Sequence, residues 1–401
     1  MESLGILLIT ANIGSMSDEP GEIERNWLQE FYKTVQEHQP AFIALHLQEF
    51  GGKNYQANMG SAEGFIRTII QSEEMSQYDW VQAFIDNDFT QTDSFTALGS
   101  VYFMHSSQRS VQIYDFKDRK FIPLSGQSVW MDSLKDCHIV HKERFPQDFW
   151  PEFPWTRKGF MRTRWLVYNR MFDLVNLHLF HDASNLVSSD CSPSLYSSNR
   201  RRALTYVLTR LQDDCDAPLF LFGDFNFRLD LKSLIQAQGW SPSVTGEMDK
   251  HTVVYEQDGE VIPSDFITIL LTSPTSVPYS ATKPGLFLLL VIVLYTKLIS
   301  IFFDHEPVPF LNELTEVQIS FPPTYPFSEN VTEPTEFMGT RCPAWCDRVL
   351  MSHPARALLQ KVKEGKNSVK YERIGGDACM GDHKPVYLYF QMESPLEQPA
   401  E

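Results

Sequence analysis

Apolar residues recur along this chain in two spacings, and the alternation between them predicts the order of elements. Leu4 to Asn12 is an apolar, β-branched run closed by a polar residue, and Ala41 to Gln48 is a second. Both read as buried strands. Between them Trp27, Phe31, Tyr32 and Val35 recur at helical spacing with charged residues interleaved, which predicts an amphipathic helix lying on a sheet. Phe65, Ile66, Ile69 and Ile70 predict another. Further strands are expected at Phe95 to Met104, Ser110 to Phe116, Arg164 to Tyr168, Phe172 to Phe180 and Pro218 to Phe222, with a helix near Arg201 to Leu211. Hairpin-like pairs mixed with helix crossovers suit an α/β sandwich better than a doubly wound parallel sheet.

One segment breaks the pattern. Leu286 to Phe303 carries a single charge, Lys297, over about 18 residues, close to the length of a membrane span. Candidate catalytic residues lie on both sides of it, and one crossing would place them in different compartments. The expectation is therefore a buried or peripheral helix, or a segment foreign to the folded domain, and membrane association stays open on this run alone.

Composition narrows the class. With 43% hydrophobic and 13% aromatic residues the chain can fill a sizeable core, and no Gly/Ser-rich linker divides it. A net charge of -17 argues against wrapping nucleic acid, whose phosphates must be met by Lys and Arg. A small anion remains compatible if a local positive pocket exists, and Arg157, Lys158, Arg162 and Arg164 are the cluster for it. The six cysteines are scattered and no basic stretch precedes the first apolar run, which predicts a reducing, cytoplasmic location. In that setting the sequon Asn330-Val331-Thr332 is a coincidence.

The chemistry gathers at strand ends. Asp224 and Asn226 in Phe222-Gly223-Asp224-Phe225-Asn226-Phe227-Arg228 follow an apolar strand, and in extended geometry both side chains share a face. A carboxylate there can orient or deprotonate water, and an amide can donate to a phosphoryl oxygen without repelling it. Alone, Asp-x-Asn is more often an Asx turn. Asp347, in Cys342-Pro343-Ala344-Trp345-Cys346-Asp347-Arg348, and His383, in Gly381-Asp382-His383-Lys384-Pro385-Val386, form a candidate pair. An aspartate on one ring nitrogen fixes the tautomer of a histidine and favours its charged form. Asn12 and Glu49 each close an apolar strand and supply hard oxygens suited to magnesium. Asn176 and His178 share a strand face from which an imidazole could reach phosphate or metal-bound water, whereas His181 reads as a core histidine. Zinc at Cys342, Cys346, Cys379 and His383 is disfavoured, because the two ligand pairs lie too far apart for a compact zinc module.

As a set, Asn12, Glu49, His178, G-D-F-N-F-R, P-A-W-C-D-R and G-D-H-K-P-V resemble the inositol polyphosphate 5-phosphatases of the endonuclease/exonuclease/phosphatase superfamily, in identity and in chain order. Q-E-F-G-G-K-N-Y from Gln48, R-K-G-F-M-R-T-R-W from Arg157 and H-L-F-H-D-A-S-N-L from His178 extend the resemblance across most of Leu4 to Gln391. It implies a four-layer α/β (α+β) sandwich, two mixed sheets face to face with helices outside. It also implies a Mg2+-dependent phosphatase acting on soluble inositol 1,4,5-trisphosphate and 1,3,4,5-tetrakisphosphate and ending calcium-mobilising signalling. In that reading Glu49 and Asn12 hold the metal, Asp224 positions the attacking water, Asn226 contacts the scissile phosphate, His178 assists and Asp347 supports His383. The general base is left open between Asp224 and the Asp347-His383 pair. Arg157, Lys158, Arg348 and Lys384 bind substrate phosphates, with Arg162 and Arg164 as salt-bridged scaffold.

The resemblance implies a single catalytic domain over 4–392 with a disordered tail at 393–401. Two departures stand out. No cysteine lies near the C-terminus to serve as a prenylation site, and the 272–303 stretch is apolar where the family suggests a charged helix. Two rival readings follow: a nuclease of the same superfamily, which the acidic charge disfavours, and an inactive, membrane-associated protein that only binds an inositol phosphate.

Overall fold

Odd and even positions of the first strand, β1 (Ser3–Asn12), enter different apolar layers. Leu4, Ile6 and Leu8 face one, and Leu7, Ile9 and Ala11 the other. A strand apolar on both faces must be covered on both, and that requirement sets the architecture.

The computed structural model describes residues 3–17, 21–107, 111–131, 134–147, 150, 157–182, 193, 196–212, 216–230, 232–233, 241–245, 252–257, 260–262, 302–338, 342–359 and 369–393. From β1 the chain passes through α1 (Glu22–His38) to β2 (Phe42–Gln48), then α2 (Tyr55–Gln71), β3 (Trp80–Ile85), β4 (Gly99–Met104), β5 (Val111–Asp115), β6 (Lys120–Pro123), β7 (Gln127–Trp130) and β8 (His141–Arg144). There follow β9 (Gly159–Val167), β10 (Arg170–His178), α3 (Ser197–Leu211), β11 (Leu219–Asp224), β12 (Ser241–Thr245), β13 (Thr252–Gln257) and β14 (Glu260–Ile262). The last part comprises β15 (Leu314–Glu316), β16 (Asp347–Ser352), α4 (His353–Arg356), β17 (Val369–Arg373) and β18 (Val386–Glu393).

One mixed sheet has the order β17-β18-β1-β2-β4-β3-β7, and the second β15-β16-β11-β10-β9-β5-β6, with β8 on β9. Their inner faces meet through Phe42, Tyr102, Trp165, Phe172, Leu174 and Phe220. Trp27, Phe31 and Val35 of α1 and Phe65, Ile66 and Ile69 of α2 cover the outside of the first sheet. Ala203, Leu204, Val207 and Leu211 of α3 pack on Val175, Leu177 and Leu221 outside the second. Each fully buried Leu or Phe contributes about 1.5–3 kcal/mol relative to exposure. The order helix, sheet, sheet, helix is the expected four-layer sandwich. A three-stranded sheet, β12-β13-β14, is added to it.

Strand boundaries differ where polar side chains sit in the ladder. β9 begins at Gly159 rather than Arg164, because Arg162 and Arg164 point together and share the buried carboxylate of Asp173: Arg162 Nε donates at 2.8 Å and Arg164 Nε at 2.7 Å. That pair is scaffold. β3 and β6 to β8 were not foreseen, since four to six residues give too little alternation to register. Of the apolar run at 286–303, all but Phe302 and Phe303 lies outside the described residues, as does the tail from 394. Among the described residues no helix is long and apolar enough to cross a membrane.

Candidate active site

Strand direction brings the polar strand ends to one rim. β1 and β2 are parallel with Asn12 opposite Gln48, so Asn12 and Glu49 emerge side by side. In the other sheet β10 and β11 are parallel with His178 opposite Asp224, and antiparallel β16 enters with Asp347 opposite Asp224. Lys158 precedes β9, whose Gly159 lies opposite His178, and His383 precedes β18. A side chain at Gly223 is sterically impossible, since a Cβ would lie 2.0 Å from Leu177 O.

Asp224 is the hub. Its Oδ2 accepts from Asn12 Nδ2 at 3.1 Å and Asn226 Nδ2 at 3.0 Å and lies 3.2 Å from His178 Nε2, while Oδ1 accepts from Asn226 N at 2.9 Å. Burial opposes its charge, but His178, His383 and Lys158 outweigh burial and hold the carboxyl well below the usual range. Glu49 Oε1 lies 3.7 Å from His178 Nε2 and 3.8 Å from Lys158 Nζ. Against the cost of burial, Lys158, His178 and Arg157 bring Glu49 down to about 2. Burial lowers Lys158 to about 8, despite Glu49 and Asp224, and its Nζ contacts His178 Nε2.

His383 Nδ1 donates to Asp347 Oδ2 at 2.9 Å, which also accepts from Thr324 Oγ1 at 2.7 Å. Burial works against a charged imidazole, yet Asp347, Asp382 and Asp224 outweigh it and raise His383 to about 10. The ring also packs 4.4 Å from that of Tyr325, whose own ring carries the Arg228 guanidinium at 4.6 Å. Asp224, Asp347 and His383 each bring a ligand atom to within 4.8 Å of the others.

The structure therefore brings together Asn12, Glu49, Lys158, His178, Asp224, Asn226, Asp347 and His383. Asn226, the expected phosphate contact, is hydrogen-bonded within the protein. Its two amide hydrogens go to Asp224 Oδ2 and to Leu179 O at 3.1 Å, and its Oδ1 accepts from Arg228 Nη2 at 2.6 Å, so it holds Asp224 in place. Arg157 sits beside the rim, donating to Gly52 O at 3.0 Å and covering the Tyr55 ring at 4.7 Å.

Arg348 and Lys384 are not brought to the rim. Successive residues of a strand point to opposite faces, so Arg348 turns away from Asp347 into Glu316 (3.1 Å), Asp304 and Trp345 O (2.7 Å). Lys384 Nζ donates to the carbonyls of Pro334 (2.9 Å), Gly375 (3.1 Å) and Ala378, which take up its three ammonium hydrogens. Sequence reading missed Arg228, although it lies in the quoted G-D-F-N-F-R, and missed Thr324 and Tyr325. The latter two stand in Phe321-Pro322-Pro323-Thr324-Tyr325-Pro326, where prolines signal only a loop.

A profile of the Endonuclease/Exonuclease/phosphatase family 2 matches residues 304–389. The chain is 42% identical to inositol polyphosphate-5-phosphatase A of Canis lupus familiaris, over 98% of this chain and 95% of that protein. It is 35% identical to a probable type I inositol 1,4,5-trisphosphate 5-phosphatase of Caenorhabditis elegans, over 96% and 99%. Among solved structures, the inositol polyphosphate 5-phosphatase domain of SPsynaptojanin, in complex with inositol (1,4)-bisphosphate and a calcium ion, is similar in fold. The TM-score is 0.51 at 13% identity, covering 98% of this chain and 84% of that one.

Proposed function

The chain belongs to the inositol polyphosphate 5-phosphatases, and from that premise we propose that it removes the 5-phosphate of soluble inositol 1,4,5-trisphosphate and 1,3,4,5-tetrakisphosphate, using Mg2+ at Glu49 and Asn12. It is a phosphoric monoester hydrolase. The observation that carries the residue assignment is the meeting of Asp224, His178 and Glu49, from two different sheets, through contacts of 3.2 and 3.7 Å.

The donor set suits a hard divalent cation. A Cβ on Gly14 would lie 2.6 Å from Glu49 Oε2 and 3.2 Å from Asn12 Oδ1, so both oxygens border a space that glycine keeps open. Two protein oxygens with the remaining positions left to water match what Mg2+ accepts. When bound, the ion polarises the phosphoryl group and offsets negative charge gathering on it.

The protein groups divide the remaining work. Asp224 orients the attacking water and accepts its proton as the new P–O bond forms and the bond from phosphorus to the inositol 5-oxygen breaks, that oxygen leaving as a hydroxyl with a proton from solvent, while Asn12 and Asn226 restrain the carboxylate. His383, charged against Asp347, donates to a phosphoryl oxygen and stabilises the charge that develops there. Lys158 and Arg157 supply further positive field at the rim, and His178 bridges Glu49 and Asp224. Phosphate release from inositol 1,4,5-trisphosphate, with Mg2+ or a chelator and alongside Asp224→Ala, tests this. The expected result is metal-dependent release that the substitution removes. Release that persists with chelator, or in Asp224→Ala, would sink the assignment, and salt-sensitive cleavage of DNA instead would favour a nuclease.

A further inference from the structure

The rim is assembled from two sheets whose facing surfaces are mainly apolar, and apolar contact is non-directional. Such a layer holds the sheets together by close packing, to which directional bonds add a fixed register. Near the rim the layer becomes polar. Gln48 Nε2 donates across the sheets to Asn176 Oδ1 at 2.8 Å, and Thr10 Oγ1 donates to Gln48 Oε1 at 3.2 Å. Asn176 Nδ2 in turn donates to the carbonyls of Leu47 at 3.1 Å and Gly99 at 2.8 Å, two residues that face one another across β2 and β4. All three polar side chains are fully buried.

A second polar chain crosses beside it. Trp165 Nε1 donates to Thr163 Oγ1 at 2.8 Å, and Thr163 Oγ1 donates to Tyr102 Oη at 2.8 Å. His46 Nδ1 lies 3.2 Å from Phe222 O, and a carbonyl can only accept, so Nδ1 carries the proton and Nε2 accepts from Tyr102 at 3.0 Å. Directional bonds of this kind, buried and mutually satisfied, specify one relative position of the sheets.

We propose that Gln48 and Asn176 are positioning residues, whose cross-sheet hydrogen bond sets the spacing between the Glu49 carboxylate and the His178–Asp224 pair. Gln48 directly precedes Glu49, whose left-handed backbone (φ 54) swings its carboxylate with any shift of the preceding peptide. Asn176 lies on the same strand face as His178, two residues before it. Neither side chain hydrogen-bonds to the groups assigned to catalysis, so both act through their neighbours. The inference rests on Glu49 as a metal ligand, as proposed above.

The test compares Gln48→Met, which keeps length and bulk but removes the amide, with Leu174→Ala, which opens an apolar gap between the sheets farther along β10. Mg2+ binding without substrate is measured by calorimetry, alongside melting temperature, kcat and KM. Gln48→Met is expected to weaken Mg2+ binding about ten-fold, the usual cost of disturbing the support of a ligand. Leu174→Ala is expected to lower the melting temperature at least as far while leaving Mg2+ binding in place. If Gln48→Met does not fold, Gln48→Asn, which withdraws the amide by one methylene, is read in the same way. Equal shifts in both variants, or an unmoved Mg2+ constant in the Gln48 variant, would overturn the inference alone. A wild-type protein that binds no Mg2+ would overturn the ligand assignment and the inference with it.

Discussion

Buried charges are used in two ways in this molecule, and the contrast separates scaffold from site. Arg200 and Arg348 are buried between carboxylates that meet their donors: Arg200 with Asp182 at 2.7 Å and Glu306 at 2.6 Å on two nitrogens, Arg348 with Glu316 and Asp304. At the rim the matching is incomplete. Asp347 Oδ1 and Arg228 Nε are buried without a hydrogen-bond partner among the described residues, and Glu49 (φ 54) and Asn226 (φ 53) hold left-handed backbone that non-glycine residues seldom adopt. Closed networks contribute rigidity. Open ones hold groups ready for a ligand, at a cost that the rest of the fold offsets.

The sharpest way to break this contrast is to remove the hub of the open network. Asp224→Ala should lower kcat for inositol 1,4,5-trisphosphate by about 10²–10⁴-fold, the range for loss of a positioned acid–base group. A steady-state phosphate-release assay checks it. Removing the centre of a closed network should instead appear as stability. Arg348→Met strands Asp304 and Glu316 and should cost about 3–5 kcal/mol in urea unfolding, with KM for the substrate unchanged. A raised KM at wild-type stability would restore Arg348 to the substrate.

Gly14→Ala probes the open space itself. The new methyl meets the far end of a flexible Glu49 side chain rather than backbone, so the protein should fold while Mg2+ binding weakens about ten-fold, as a Mg2+ titration would read. A further test of the open network is electrostatic. With chelator present, His383 at about 10 binds its proton more tightly folded than unfolded, where a histidine titrates near 6.5. Its contribution is complete below that lower value and is lost as pH rises through about 10, with a slope no steeper than about 1.4 kcal/mol per pH unit. Denaturant melts from pH 6 to 10 should show the decline, and Asp347→Asn should flatten it.

Much of the rim was legible because each contributing residue closes an apolar run: Asn12, Glu49, His178 and Asp224 all sit where a strand meets solvent or a turn. Asp347 and His383 were legible as an acid and a base at the mouths of two other strands. Arg348 and Lys384 misled, because adjacency in sequence was read as adjacency in the pocket. In a strand the next residue points away, which turns Arg348 from Asp347, and Lys384, in the loop before β18, donates to backbone carbonyls. Asn176 was legible as sharing a strand face with His178, but its partner Gln48 is 128 positions away.

By itself the sequence determined the continuous apolar runs, the helices that cover them and the identity of the groups at their ends, because those follow from local spacing. Only the tertiary structure decided which ends share a rim, which cations are already paired, and that the amide hydrogens of Asn226 go to Asp224 and Leu179 O. Those outcomes depend on strand order and on contacts between residues such as Asn12 and Asp224, 212 positions apart, and no local pattern encodes a distance across two sheets.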